Sequence, residues 1–164
     1  MSMRLLVATA ILILPLALDL IVKKLAQHTL DYAQPVAVLP GFNLTLLYNP
    51  GVSFGLFPVG TSGGLQYMLT LQAMLCLGIA AYAWTVRQLT NVWPLVLLLS
   101  GALANLVDRF FNGAVTDYLD FYVGSSHWPA FNLADVWITL GVVGLIGLEL
   151  LKKPPARAKL NKNG

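Results

Sequence analysis

Two aspartates, Asp117 and Asp135, could form a catalytic carboxyl pair if the chain between them folds back. Asp135 stands at the start of an apolar segment, and Asp117 precedes that segment in a connecting stretch. Two carboxyl groups in contact cannot both ionise, so the pair would share one proton. One carboxylate could then activate a water while its protonated partner polarises a carbonyl, which is aspartyl-protease chemistry. For Asp117 alone, a solvated loop carboxylate is the competing interpretation.

Helical spacing predicts a polar face near that pair. Gly101, Asn105 and Asp108 stand at positions i, i+4 and i+7, so they share one face of a helix. Arg109 follows directly, and a cation at a helix C-terminus is also a favourable end feature without any catalytic role. An asparagine and an aspartate on one face favour the further interpretation that this stripe points into the protein.

Two more polar pairs allow both a structural and a functional interpretation. Asp19 and Lys23 are four residues apart and can pair on one helix face. That pair is either a salt bridge that lowers the cost of two charges, or one that also supports an active site. Asn132 and Asp135 fit an N-cap and a first-turn anion, in which case Asp135 still needs a partner if it is buried.

Other site chemistries fit the sequence poorly. His28 and His127 have no metal-ligand spacing, and neither a G-x-S-x-G turn nor a glycine-rich phosphate loop is present. The single cysteine, Cys76, lies in an apolar run without the basic surroundings that activate a thiol. We expect no metal ion and no organic cofactor. No basic, aromatic-interleaved patch suggests nucleic acid as a partner.

Composition places these residues in a membrane protein. Hydrophobic residues make up 57% of the 164 residues and charged residues 10%, whereas a soluble domain carries roughly a quarter charged residues. A membrane-spanning helix needs about 20 mostly apolar residues. Four segments qualify, and they predict an all-α membrane bundle with spans at about 5–24, 65–86, 92–110 and 133–151. We interpret the first as a retained helix, because no A-x-A-like cleavage site follows it.

Charge placement predicts the orientation of the bundle. Four spans put both termini and the 87–91 loop on one side, which then carries seven of the ten Lys and Arg residues, so this side is expected to be cytoplasmic. Six of the seven acids fall at the opposite end, where ionisable groups near a span boundary are usually functional. These acids are Asp19, Asp31, Asp108, Asp117, Asp120 and Asp135.

Three further segments complete the expected layout. Residues 27–63 predict a small outer β element, with strands at 35–39 and 42–48 joined at Pro40-Gly41. Residues 112–131 are rich in aromatic side chains and could lie along the membrane interface. The tail at 154–164 is basic and is expected to be a disordered cytoplasmic segment.

Five motifs in order over nearly the whole chain resemble those of the lipoprotein signal peptidase (signal peptidase II) family. Asp19-x-x-x-Lys23 is similar to its first motif, and the 48–54 segment YNPGVSF is similar to its N-x-G-x-x-F motif. The 101–109 segment GALANLVDR resembles its G-x-x-x-N-x-x-D-R motif. The 113–117 and 131–135 segments, GAVTD and FNLAD, resemble its G-x-V-x-D and F-N-x-A-D motifs.

The resemblance implies a function and a set of site residues. It implies a bacterial inner-membrane, multi-pass aspartyl endopeptidase that cleaves diacylglyceryl-modified prolipoproteins before the lipidated cysteine, with its active site near the outer leaflet. It implies four helices, a small outer β element and a short outer interfacial helix near 115–125. The partners expected are that substrate and membrane lipid, and the enzyme is expected to be a monomer. The catalytic positions fall on Asp117 and Asp135, and the supporting positions on Asp19, Lys23, Asn49, Gly51, Gly101, Asn105, Asp108, Arg109, Val115, Asn132 and Ala134.

Departures from the family pattern leave the carboxylates untouched. Ser100 and Ala104 each replace a glycine by a small residue, and Thr116 stands where an apolar β-branched residue is common.

Two rival functions remain open from the residues alone. An ion-coupled transporter would spread its acids across the membrane depth, and a non-catalytic membrane subunit would not require Asp117.

Overall fold

The computed structural model describes residues 3–51 and 62–151. The predicted tail at 154–164 and the motif residues 52–54 lie outside the described residues. Within the described part the chain forms four long helices and four strands, and α-helices and strands are numbered here in chain order. They are α1 (Met3–Thr29), β1 (Val36–Leu39), β2 (Phe42–Asn49), α2 (Ser62–Thr85), α3 (Leu89–Asn112), β3 (Val115–Val123), β4 (Ser126–His127) and α4 (Leu133–Leu151).

All four helices are long and apolar enough to cross a membrane, and each overlaps one of the predicted spans. Helix α3 is central, because α1, α2 and α4 all pack against it. Half of the most apolar stretch of α3 is buried, against 11% or less in the other three helices. The outer helices instead expose large apolar side chains such as Leu14, Leu77 and Leu150, as a lipid-facing surface requires. The predicted four-helix membrane bundle is confirmed.

Small residues let α3 approach its neighbours closely. A Cβ added at Gly101 would lie 2.3 Å from the carbonyl oxygen of Ala134, so the backbones of α3 and α4 meet there. Ala104 and Ser100, which replace glycines of the family pattern, are both fully buried. The Ser100 hydroxyl also donates a 2.8 Å hydrogen bond to the carbonyl of Leu12 in α1. The serine therefore keeps the close packing and links two helices as well.

A four-stranded antiparallel sheet in the order β1-β2-β3-β4 lies at one end of the bundle. The predicted hairpin is confirmed, because β1 and β2 pair on either side of Pro40-Gly41. Strand β2 then pairs with β3, which places Leu47 opposite Asp117 and Asn49 opposite Val115. The sheet thus brings the segment after α1 alongside the segment after α3.

The short outer helix predicted near 115–125 is wrong, because residues Val115–Val123 form strand β3. The segment is composed largely of β-branched and aromatic residues, which favour a pleated, half-buried strand over a helix. Strand β2 supplies the edge with which it pairs. In a strand, neighbouring residues face opposite sides, so Thr116 and Asp117 point in different directions.

A buried acid ties the outer strands together. Asp120 in β3 accepts hydrogen bonds from the Thr45 hydroxyl at 2.9 Å and the Asn43 amide at 3.4 Å, both in β2. His127 in β4 donates from Nδ1 to the same carboxylate at 2.7 Å. Burial raises the pKa of Asp120, but these hydrogen bonds outweigh burial and hold the pKa below its usual value. Asp120 therefore stabilises the sheet as an ionised carboxylate.

Replacing Gly101 by Ala should destabilise the protein. The added Cβ meets a backbone carbonyl that cannot move aside, so we expect the free energy of unfolding to fall by about 1–3 kcal/mol. Unfolding in detergent, followed by circular dichroism, measures it. Gly78→Ala in α2 is the matched control, because nothing lies within 4 Å of its added Cβ. Equal stability of the two variants would contradict the close α3–α4 contact.

Candidate active site

The site is built on the start of α4, where Asn132 and Asp135 cap the helix reciprocally. The side-chain oxygen of Asn132 accepts a hydrogen bond from the Asp135 amide at 3.1 Å. In return, Asp135 Oδ2 accepts a 3.1 Å hydrogen bond from the amide of Asn132. This arrangement is a capping box, so the capping interpretation is confirmed. It fixes the Asp135 carboxyl at a helix N-terminus, where the helix dipole favours an anion.

Asn132 also holds the second carboxyl group of the predicted pair. Its side-chain amide donates a 2.7 Å hydrogen bond to Asp117 Oδ1. Asp117 lies in β3 and is only 3% exposed, so its interpretation as a solvated loop residue is wrong. Both carboxyl groups therefore accept a hydrogen bond from one residue, Asn132: Asp117 from its side-chain amide and Asp135 from its backbone amide.

The surroundings of Asp117 favour its protonated form. Burial and the neighbouring charge of Asp135 raise the pKa of Asp117 from 3.8 to about 6. Hydrogen bonds from Asn132 and Asn49 act in the opposite direction but do not offset these effects. A carboxyl group with this pKa can hold or release a proton near neutral pH.

Lys23 organises the carboxylates that surround the pair. Its ammonium lies 2.8 Å from Asp19 Oδ2 and 3.5 Å from Asp108 Oδ2. It also donates a 2.6 Å hydrogen bond to the side-chain oxygen of Asn105, whose amide group donates to Asp135 Oδ1 at 2.9 Å. Because an ammonium can only donate, it fixes which end of the Asn105 side chain faces Asp135. The predicted Asp19–Lys23 salt bridge is present, and it also supports the site.

Asp19 connects the first helix to the last. It is fully buried, and its Oδ1 accepts a 2.8 Å hydrogen bond from the backbone amide of Ala134. Ala134, itself fully buried, stands in the first turn of α4, where backbone amides have no helical partner. One carboxylate therefore both neutralises Lys23 and completes the hydrogen bonding at the start of α4.

Asp108 positions the strand that carries Asp117. Its Oδ2 accepts a 2.6 Å hydrogen bond from the Thr116 amide, and its Oδ1 accepts one from the Asn112 side chain. The Thr116 hydroxyl in turn accepts a 2.7 Å hydrogen bond from the Gln27 side chain of α1. The sequence analysis missed Gln27 and Asn112 and treated Thr116 only as a substitute for an apolar residue. The four-residue spacing of Asp108 and Asn112 was the one signal available.

Arg109 is nine-tenths buried and close enough to both carboxyl groups of the pair to interact with them electrostatically, so it is more than a helix-end cation. Its Nη1 donates a hydrogen bond to the side-chain oxygen of Gln72 in α2, a contact that the sequence analysis also missed. Gly51 adopts a φ of +85°, and a Cβ there would lie 3.0 Å from Arg109 Nη2. The side chain of Asn49 accepts a 2.9 Å hydrogen bond from the Gly51 amide and closes this turn.

The structure thus gathers every residue predicted for the site at one end of the bundle. Val115 is buried and pairs with Asn49, which anchors the start of β3. Gly101 allows α4 to approach α3 so that Asn105 can reach Asp135. The arrangement brings the charge of Asp135 close enough to raise the pKa of Asp117, and both Lys23 and Arg109 are close enough to Asp117 to interact with it electrostatically.

Comparison with known proteins identifies related chains. Residues 11–151 match the family model described as signal peptidase (SPase) II. A lipoprotein signal peptidase of Francisella tularensis subsp. novicida (strain U112) is 41% identical over 144 residues, which cover 86% of this chain and 89% of the relative. One from Burkholderia mallei (strain SAVP1) is 42% identical over 146 residues, covering 85% of this chain and 84% of the relative. A solved bacterial membrane enzyme superposes with a TM-score of 0.77 at 26% identity, covering 90% of this chain and 94% of that one.

Removal of the Lys23 charge should destabilise the protein strongly. Lys23→Met leaves the carboxylates of Asp19 and Asp108 buried without their cation, and breaking a buried ion pair costs about 3–5 kcal/mol. Unfolding in detergent measures the loss. Lys24→Met is the control, because Lys24 is exposed and donates its hydrogen bond to the neutral side chain of Gln27. Adding Asp19→Asn to Lys23→Met should recover part of the loss, and no recovery would contradict this account.

The carboxyl group of Asp117 should titrate well above the usual range of an aspartate. Infrared difference spectra of the substrate-free protein should show its protonated C=O band disappearing with a midpoint near pH 6. The band should be absent in Asp117→Asn, which assigns it. Asp135→Asn should lower the midpoint, because a like charge that raises the pKa of Asp117 is removed. A midpoint near 3.8 in the unsubstituted protein would contradict the burial of a coupled pair.

Proposed function

The chain belongs to the signal peptidase II family, and we propose that it is an aspartyl endopeptidase with Asp117 and Asp135 as its catalytic residues. Members of this family are proteases, and this chain is a multi-pass inner-membrane protease that removes signal peptides from lipoprotein precursors. One observation carries the catalytic proposal. Asn132 bonds to both carboxyl groups and so holds them at the same place in the bundle.

The proposed substrate is a diacylglyceryl-modified prolipoprotein, cleaved immediately before its lipidated cysteine. Its signal helix would lie beside the bundle in the membrane. Two features support this arrangement: Asp135 of the pair lies in the first turn of α4, and the helices of the bundle expose large apolar side chains. The acyl chains can then remain in the bilayer while the peptide bond reaches the carboxyl groups.

The two aspartates are proposed to start the reaction from different protonation states. Asp117 carries the shared proton, as its raised pKa favours. Asp135 accepts hydrogen bonds from the Asn105 side chain and the Asn132 amide, which hold its carboxyl group in place as the proposed general base. Asp135 therefore takes a proton from water as the water oxygen attacks the scissile carbonyl carbon. Asp117 gives its proton to the carbonyl oxygen, which produces a neutral tetrahedral diol.

Breakdown of the diol uses the same two groups in reverse. Asp117, now ionised, takes a proton from one hydroxyl as the carbonyl re-forms and the C–N bond breaks. Asp135 gives the proton that it took from water to the departing amine of the lipidated cysteine. Water has then been added across the peptide bond, and the pair regains its single proton. The pair titrates as a unit throughout this cycle.

The surrounding residues are proposed to orient the reacting groups. Asn105 and Asn132 fix the two carboxyl groups through the hydrogen bonds described above, and Asn49 adds a bond to Asp117. Arg109 supplies a buried cation near developing negative charge on the carbonyl oxygen. Lys23, with Asp19 and Asp108, keeps this frame rigid, and all these parts come from one chain, which supports a monomeric enzyme.

Orientation in the membrane is also part of the proposal. The excess of Lys and Arg at the end opposite the pair supports cytoplasmic termini and an active site near the outer leaflet. The transporter and non-catalytic alternatives are disfavoured, since the family is one of proteases. The acids also gather at one end of the described helices instead of following a path through the bundle.

Substitution of either aspartate should abolish cleavage while the fold remains. With purified protein in detergent and a diacylglyceryl-modified precursor, we expect Asp117→Asn and Asp135→Asn each to reduce kcat/KM by about 10²–10⁴-fold or more. Asp31→Asn is the matched control, because Asp31 is an exposed acid in the segment after α1. Wild-type cleavage by either pair variant would end the assignment of a two-aspartate mechanism.

A further inference from the structure

Gln72 is a polar side chain in helix α2, a helix without charged residues, and it contacts Arg109 of the site. Its side-chain oxygen accepts a 2.5 Å hydrogen bond from Arg109 Nη1. Its side-chain amide donates a 3.1 Å hydrogen bond to the backbone carbonyl of Ala102 in α3. A guanidinium can only donate and a carbonyl can only accept, so one orientation of the Gln72 amide satisfies both contacts. The glutamine is therefore fixed at both ends.

The charged guanidinium of Arg109 is hydrogen-bonded to an uncharged side chain, that of Gln72. None of the ion pairs among residues 3–51 and 62–151 includes Arg109, although Asp117, Asp108 and Asp135 are close enough to interact with it electrostatically. Its Nε is buried and has no hydrogen-bond acceptor in the described part of the chain. The cation is thus positioned by an uncharged amide on one side and by the turn at Gly51 on the other.

We propose that Gln72 is a positioning residue for the cleavage reaction: its neutral amide holds the Arg109 guanidinium beside Asp117 and Asp135 without neutralising its charge. This inference rests on the proposed function of that pair. A carboxylate at position 72 would hold the guanidinium equally well but would cancel much of its field. An apolar residue there would leave the field intact but the guanidinium free to turn away from the site.

Two substitutions separate these two effects. Gln72→Met keeps the length of the side chain and removes both hydrogen bonds, so we expect kcat to fall about 10- to 100-fold while KM changes less. Gln72→Glu keeps the acceptor for Arg109 and adds a negative charge. That charge weakens the field that favours ionised aspartates, so the acidic limb of the kcat/KM profile should move to higher pH.

Several charged or titratable groups face the carboxyl pair, and all remain unchanged in these variants. They are Lys23 and Asp19 from α1, Asp108 and Arg109 from α3, and Tyr118 from β3. A shift of the acidic limb in Gln72→Glu alone therefore reports the altered charge of the Arg109 environment. Thr70→Val in the same helix is the control, since Thr70 is exposed and its hydroxyl donates a hydrogen bond to the carbonyl of Gln66, away from Arg109.

The experiment measures kcat, KM, the pH profile and the unfolding midpoint for wild type, both Gln72 variants, Thr70→Val and Asp117→Asn on one lipidated precursor. A folded Gln72→Met variant with the kcat of the wild type would overturn the inference. A less stable variant with an unchanged kcat would overturn it as well, because Gln72 would then serve only to pack α2 against α3. If Gln72→Met does not fold, Gln72→Glu decides, and an unshifted acidic limb overturns the inference. Cleavage by Asp117→Asn would instead overturn the proposed function itself.

Discussion

The buried ammonium of Lys23 is the interaction on which the rest of the site depends. It is 1% exposed and lies among the side chains of Asp19, Asp108 and Asn105. Each partner then fixes a different element, because Asp19 bonds to the start of α4, Asp108 to the start of β3, and Asn105 to Asp135. A charge this deep must be paired, and here its pairing also sets the relative positions of the two carboxyl groups.

The pair combines two different local structures. Asp135 is fixed by a helix cap, which is a local interaction over three residues. Asp117 is fixed by strand pairing with β2, whose residues lie about 70 positions earlier in the chain. Asn132 joins the two through one side chain. The geometry of the pair therefore depends on the sheet as much as on the helices.

The structural features that depend on local sequence pattern could be predicted from the sequence. The four helices follow from apolar length, and the face formed by Gly101, Asn105 and Asp108 follows from helical period. The family resemblance implied a helix where strand β3 forms, and no local pattern corrected it, because the pairing partner of β3 is distant in sequence and its aromatic residues also suit an interface. Gln72 carried no signal, since a neutral polar residue in a membrane span acquires its role only when Arg109 of another helix contacts it.

The hydrogen bond between Asp19 and the Ala134 amide joins the first membrane helix to the last. Helices leave the ribosome in order from the N-terminus, so α1 waits for this partner until the whole bundle has been translated. A nascent chain that lacks α4 has neither Asp135 nor Asn132 and leaves the Asp19 carboxylate without its amide donor. The hydrogen-bonded frame around the two carboxyl groups therefore closes only when α4 joins the other three helices, so the last helix to be inserted completes the site.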